Sequence, residues 1–153
     1  MEISLNLRQL ILGAAAVSLV ILLALIGHAV TETPGSSEYF VGGAIVYSNT
    51  AKQEVLGVDA GTLAALGAVS APVAAQMAQG ARRLYGADVA VAVTGIAGPG
   101  GGSDDKPVGT VWIAWKRRGG YAKAEVFHFD GDRDAVRRQT VASALTGLEQ
   151  HLE

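Results

Sequence analysis

The chain has 153 residues, half of them apolar and 17% charged, which excludes a disordered chain and suffices for one buried core. A formal net charge of −2 offers no attraction to a polyanion, so no nucleic-acid partner is expected. The absence of cysteine removes disulfides, thiolate metal sites and a cysteine nucleophile, and three histidines without ligand spacing (His28, His128, His151) give no metal site.

Leu10 to Val30 reads LILGAAAVSLVILLALIGHAV, an uncharged run that as a helix is roughly 31 Å long. Three readings stand side by side. A membrane anchor fits because Leu19–Ile26 is apolar on every face; a signal peptide fits because Arg8 precedes the run and Gly27-His28-Ala29 is a small-x-small site. The third is a buried helix of the globular domain. For an anchor, Arg8 before the span and Glu32 and Glu38 after it favour an inward N-terminus. From Thr31 the pattern is that of an α/β domain. TETPGSS is turn chemistry centred on Pro34-Gly35, and Tyr39–Tyr47 (YFVGGAIVY) predicts a strand with a bulge or close backbone approach at Gly42-Gly43. Ser70 predicts the cap of a helix to about Leu84, with Val73, Met77, Ala81 and Leu84 as its stripe and Gly86 as its stop. Val89–Val93 is a short apolar run suited to a strand covered on both faces. A glycine-rich loop follows, then strands at Gly109–Trp115 and Ala122–Phe129. Asp132 caps a last helix from Arg133 to about Leu148, with Val136, Thr140, Ala144, Leu145 and Leu148 inward.

Three clusters carry groups suited to chemistry. Tyr47-Ser48-Asn49-Thr50-Ala51-Lys52 leaves the first predicted strand, where α/β sheets commonly place sites. Lys52 serves as a general base if burial lowers its pKa; otherwise it is an ordinary surface lysine in a solvated turn. The loop Thr94-Gly95-Ile96-Ala97-Gly98-Pro99-Gly100-Gly101-Gly102-Ser103 either turns several N–H groups toward an anion or is simply a flexible connection. It is not a phosphate-binding Walker loop, because no Gly-Lys-Ser/Thr follows and the next element reads as a strand. Arg133 and Arg137 lie four apart near a helix N-terminus, which suits a phosphate or carboxylate; Asp132 and Asp134 read equally well as cap and first-turn acids paired with nearby arginines.

Taken in order, PGSSEYFVGG, YSNTAK, LGV, GAVS, VTGIAGPGGGSDDKPVGTVWIAW and GDRDAVRRQ resemble the CinA C-terminal domain family, the nicotinamide-mononucleotide amidohydrolases, over about residues 31–153. The resemblance implies a single three-layer α/β/α sandwich, here preceded by the apolar N-terminal helix of residues 1–30. It implies hydrolysis of the carboxamide of nicotinamide mononucleotide to the nicotinic acid nucleotide and ammonia, with no cofactor and no metal. It implies a cytoplasmic location, whereas the apolar run would anchor the chain to a membrane, and a homo-oligomer is expected. In the family a serine in a Glu-Ser-Cys-Thr-Gly-Gly motif attacks the amide and the lysine of the YSNxxK motif is its base, a serine–lysine arrangement. Carried over, the base is Lys52, with Tyr47 and Asn49 beside it. Thr94 and the Gly95–Gly102 loop, including Gly98 and Gly101, line the substrate site, and Arg133 and Arg137 meet the nucleotide phosphate.

The departure lies at the nucleophile. The family serine falls about 15 residues before the glycine of PGSS, which here is Val20 within VSLVILLA, and the motif occurs nowhere in the chain. Ser18, two residues away among aliphatics, is the nearest hydroxyl. Three accounts follow: a family-like fold without catalysis; a nucleotide-binding or regulatory module, membrane-tethered or not; or a first segment replaced by fusion, frame shift or a misassigned start. The abrupt change near residue 31, with YSNTAK and TGIAGP intact, favours the third over gradual decay.

Overall fold

The computed structural model describes residues 25–152. Helix α1 covers residues 25–31 and buries Ile26 among Val93, Val111, Ile113 and Trp115, so this end of the apolar run packs on the domain. Residues 10–24, and with them the greater part of the anchor and signal-peptide readings, lie outside the described residues. Among the described residues no helix is long and apolar enough to cross a membrane. The PGSS turn follows, with a single 3-10 turn at Ser36–Glu38.

The Tyr39–Tyr47 strand is a correction: residues 40–47 take no regular secondary structure and join no ladder among the described residues. Their side chains do alternate, with Ala44 and Val46 turned to the core and Val41, Ile45 and Tyr47 outward. Alternation reports which face is covered; a strand also needs a neighbour to take its N–H and C=O groups, and that is not written in the segment itself.

Two helices went unassigned in the sequence. Helix α2 (Asn49–Leu56) begins where the Ser48 hydroxyl accepts the Ala51 N–H at 3.0 Å and ends at Gly57. Helix α3 (Ala60–Leu66) is capped by Asp59, whose carboxylate accepts from the Thr62 N–H at 2.7 Å and the Thr62 hydroxyl at 2.9 Å. Those bonds hold the Asp59 carboxyl below its ordinary pKa. Both helices are short, so their apolar periodicity is too brief to stand out.

Helix α4 (Ala71–Tyr85) and its stop at Gly86, in the left-handed region at φ 64°, follow the expectation closely. Ser70 occupies the cap position but its side chain makes no cap bond; its hydroxyl donates instead to the Gly67 carbonyl at 2.9 Å. Strands β1 (Val89–Gly95), β2 (Thr110–Arg117) and β3 (Ala122–His128) form an antiparallel sheet in the order β1-β2-β3. Helix α5 (Arg133–Leu152) runs four residues beyond the expected end, and Asp132 caps it by accepting the Ala135 N–H at 2.8 Å.

The alternation of β1 and β2 sends side chains to two cores. On one face Ala92 and Ala114 meet Val73, Ala74, Met77 and Ala78 of α4, with Leu56 and Val46 alongside. On the other, Val93, Ile113 and Trp115 meet Val136 and Ala144 of α5. The Trp115 indole N–H donates to the Ala144 carbonyl at 2.9 Å, so the largest buried ring also fixes the register of α5 on the sheet.

Candidate active site

A cavity of about 170 Å³ opens at the end of β1, walled by Val93, Thr94 and Gly95 of the strand, by Tyr47 and Lys52, and by Arg137 and Thr140 of α5. Its polar groups come from elements on both faces of the sheet. Its remaining walls, among them Val46, Ala68, Val111 and Val136, are apolar.

Lys52 sits in the first half of α2 and is only 6% exposed, which removes the surface-lysine reading. Its amine donates to the Tyr47 carbonyl at 2.6 Å and the Val46 carbonyl at 3.1 Å. Burial pushes its pKa down from the ordinary lysine value, because the ammonium form loses its hydration. A neutral amine has two N–H donors and one lone pair; two carbonyls here take two donors, and the third position is left for a proton to be accepted. That is the arrangement a general base needs.

Arg137 is also buried, at the start of α5. Burial first, and then the charge of Arg133, lowers its pKa, while Asp134 acts the other way. A guanidinium remains protonated under such pressure, so its energy falls when an anion arrives. The Thr94 hydroxyl donates to the Ala68 carbonyl at 2.8 Å, tying β1 to the loop before α4 and leaving the threonine oxygen able only to accept.

The structure therefore gathers Tyr47, Lys52, Thr94, Gly95 and Arg137 around one space and places the other expected residues elsewhere. Tyr47 contributes its carbonyl to Lys52, while its residue as a whole is 58% exposed. Asn49 is an exposed first-turn residue of α2 whose carbonyl accepts from Gln53. Gly98 and Gly101 are not cavity walls. Arg133 donates to the Gly98 carbonyl at 2.6 Å, holding the glycine loop, and is not a wall either. Asp134 pairs with Arg138 at 2.6 Å, so the acid-pairing alternative holds for that residue.

The loop between β1 and β2 is not a loose connection. Besides Arg133, Lys106 donates to the Leu66 carbonyl at 2.7 Å, and Ile96 bonds both Thr110 and Gly109 through its backbone. At its root a Cβ on Gly95 would meet the Val111 side chain and the Thr110 carbonyl, so the chain leaves β1 closer to β2 than another residue allows. Sequence reasoning missed Ala68, Val69 and Thr140 as walls. The signal for the first two was GAVS, noticed as a motif but given no role; Thr140 was assigned only to the core. Among the described residues no cluster of metal-ligating side chains occurs.

Residues 24–152 match the family model of the CinA C-terminal domain. A CinA-like protein of Geobacter metallireducens is 55% identical over 128 residues, covering 84% of this chain and 31% of the relative. The nicotinamide-nucleotide amidohydrolase PncC of Escherichia coli K12 is 50% identical over 125 residues, covering 82% of this chain and 76% of that protein. Among solved structures, a competence/damage inducible protein from Agrobacterium tumefaciens superposes with a TM-score of 0.83 at 45% identity, covering 86% of this chain and 81% of its own. The chain spans about a third of the length of the first CinA-like relatives, and about three quarters of the PncC proteins. With the fold and the sequence in agreement over most of its length, this chain belongs to the CinA C-terminal domain family.

Proposed function

We propose that the cavity binds nicotinamide mononucleotide, with Arg137 facing the phosphate and Lys52 as the base for cleavage of the carboxamide. The observation that carries this reading is Lys52 itself: buried, its pKa lowered, and held by two carbonyls in the wall of a cavity that also contains a buried arginine. The naming of the PncC relatives as nicotinamide-nucleotide amidohydrolases supports the substrate. Thr94 and Gly95 complete the wall. Arg133 acts through Gly98 and the loop, not on the phosphate.

Amide cleavage through an acyl intermediate also needs a nucleophile, and the chain contains no Glu-Ser-Cys-Thr-Gly-Gly motif. On this reading the chain binds the nucleotide and lacks turnover, while the base stays poised. Titration of the full chain with nicotinamide mononucleotide is expected to give saturable binding, weakened roughly tenfold by Arg137→Ala, the scale of one charge-assisted bond. No binding at millimolar nucleotide overturns the pocket. Ammonia release is expected to be absent from the natural chain, to appear when a family-type first segment carrying the motif is installed, and to vanish again with Lys52→Ala. Release that survives Lys52→Ala removes that lysine as base; Lys52-dependent release from the natural chain identifies a substitute nucleophile and overturns the non-catalytic reading.

A further inference from the structure

A side chain attacks a carbon atom only when its proton is absent or a base takes it, and the cavity walls can be sorted by that test. The Thr94 hydroxyl donates to the Ala68 carbonyl at 2.8 Å, and the Thr140 hydroxyl to the Val136 carbonyl at 2.7 Å. A carbonyl holds a hydroxyl proton without removing it, so neither threonine is activated. Tyr47 is turned outward and lends its backbone carbonyl, and Arg137 stays protonated. Among the described walls that leaves the Lys52 amine, which needs no base once it is neutral. Burial favours the neutral form, and the bonds to the Tyr47 and Val46 carbonyls leave the lone pair as the third direction.

A desolvated lysine amine, with a second cation in the same wall, is suited to forming imines with aldehydes and ketones. The space sets the size of the partner: about 170 Å³ holds a molecule of roughly six to eight heavy atoms, on the scale of cavities that take benzene. Arg137 sets its charge, since a buried guanidinium gains most from a carboxylate or phosphate on the ligand. Val46, Val93, Val111 and Val136 suit a short aliphatic remainder.

We propose that Lys52 forms an imine with a short-chain 2-oxo acid seated in this cavity, its carboxylate toward Arg137. The inference rests on the same cavity as the nucleotide reading, but not on the nucleotide. The amine nitrogen attacks the oxo carbon, forming the C–N bond and opening the C=O bond; both amine protons then leave with the former carbonyl oxygen as water. A proton from solvent converts the imine to its iminium, whose single N–H serves one of the two backbone carbonyls that held the amine. The ligand carboxylate offsets the new positive charge beside Arg137, which a neutral aldehyde does not. No serine takes part, so the reaction is open to this chain without the family motif.

Pyruvate with sodium cyanoborohydride tests this on the full chain at neutral pH. The hydride reduces the iminium carbon and fixes the adduct as a secondary amine, heavier than lysine by one pyruvate less one oxygen. Peptide mapping then compares Lys52 with Lys106, Lys116 and Lys123, the other lysines of the chain. Lys52 is expected to be labelled about tenfold faster than any of them, and no faster once the chain is unfolded in urea. With propanal, which has no carboxylate, the preference for Lys52 is expected to be smaller, and Arg137→Ala is expected to bring the pyruvate preference down to that of propanal. If that variant unfolds, the two carbonyl probes on the natural chain decide alone. Labelling spread evenly over the lysines of the folded chain, or sparing Lys52, overturns the proposal; so does a preference for Lys52 that is equal for pyruvate and propanal. Nicotinamide mononucleotide separates the two readings of the cavity. Selective labelling that the nucleotide does not block keeps the imine and removes the nucleotide, whereas saturable nucleotide binding without selective labelling does the reverse.

Discussion

At the last turn of α2, Leu56 is buried and its carbonyl lies so close to Gly80 of α4 that a Cβ there would fall on the oxygen. At the first turn of the same helix, four residues earlier, Lys52 meets a cavity and two backbone carbonyls. One short helix thus has a closed end and an open end. The closed end is made of the smallest residues available, glycine against backbone with Ala74 and Ala78 alongside, and it leaves the helix no freedom to slide. The open end exposes one amine to an enclosed space. A polar group on a flexible stem is held in place only when the backbone that carries it is fixed, and here the fixing is done a turn away from the amine.

The strongest way to break this arrangement is Gly80→Ala. Alanine regains about 1 kcal/mol of helix propensity, but backbone cannot yield to the new methyl, so a net loss of about 3 kcal/mol is expected in urea unfolding. The displaced α2 is also expected to weaken nucleotide binding in the folded fraction. A smaller effect is expected on the other face from Gly147→Ala, where the new Cβ meets the Trp115 ring instead of backbone. The ring is fully buried and held by its bond to Ala144, so it gives little, and a net loss of about 2 kcal/mol with unchanged binding is expected. Equal losses in binding from both variants would show that the closed end of α2 has no special relation to Lys52. Trp115→Phe is expected to cost about 1 kcal/mol, from the lost indole bond to the Ala144 carbonyl and the space the smaller ring leaves, again with binding intact.

Much of the closed, packed part of the molecule was legible in the sequence. The stripe of α4, the stop at Gly86, the three ladder strands and the Asp132 cap each rest on local rules: periodicity, left-handed backbone and side-chain acceptance of an N–H. What the sequence left unread depends on distant partners. The run 40–47 carries strand-like alternation, but pairing is a property of the neighbour. Arg133 and Arg137 share a helix face by spacing, yet only Arg137 reaches the cavity, because Arg133 at the helix start finds the Gly98 carbonyl first. Lys52 was named from the YSNTAK motif, while its burial follows from how α2 lies on α4, which no spacing within the motif encodes. The choice between an exposed and a buried lysine was therefore decided by packing.

The least disruptive experiment sharpens the open end directly, through the pH dependence of stability. Burial lowers the pKa of Lys52 in the folded chain, whereas in the unfolded chain it lies near the ordinary lysine value of about 10.4. Between those two values the unfolded chain binds more protons, so this group makes stability rise with pH across that window. Below the folded pKa both states are protonated and the burial penalty is present in full. Lys52→Met removes the group, so the stability of the natural chain relative to the variant is expected to be lowest and flat at the acid side of the window and to climb as pH approaches about 10. A lysine in open solvent would give no such climb, and a flat difference would return Lys52 to an ordinary surface residue. Saturating nicotinamide mononucleotide adds a second reading: with the carboxamide at Lys52, the amine faces the positively charged pyridinium ring and loses cavity water, both of which disfavour its ammonium form, lower the folded pKa further and widen the window. The climb is then expected to grow with the nucleotide present, and to grow less in Arg137→Ala compared at equal nucleotide concentration, because fewer sites are filled.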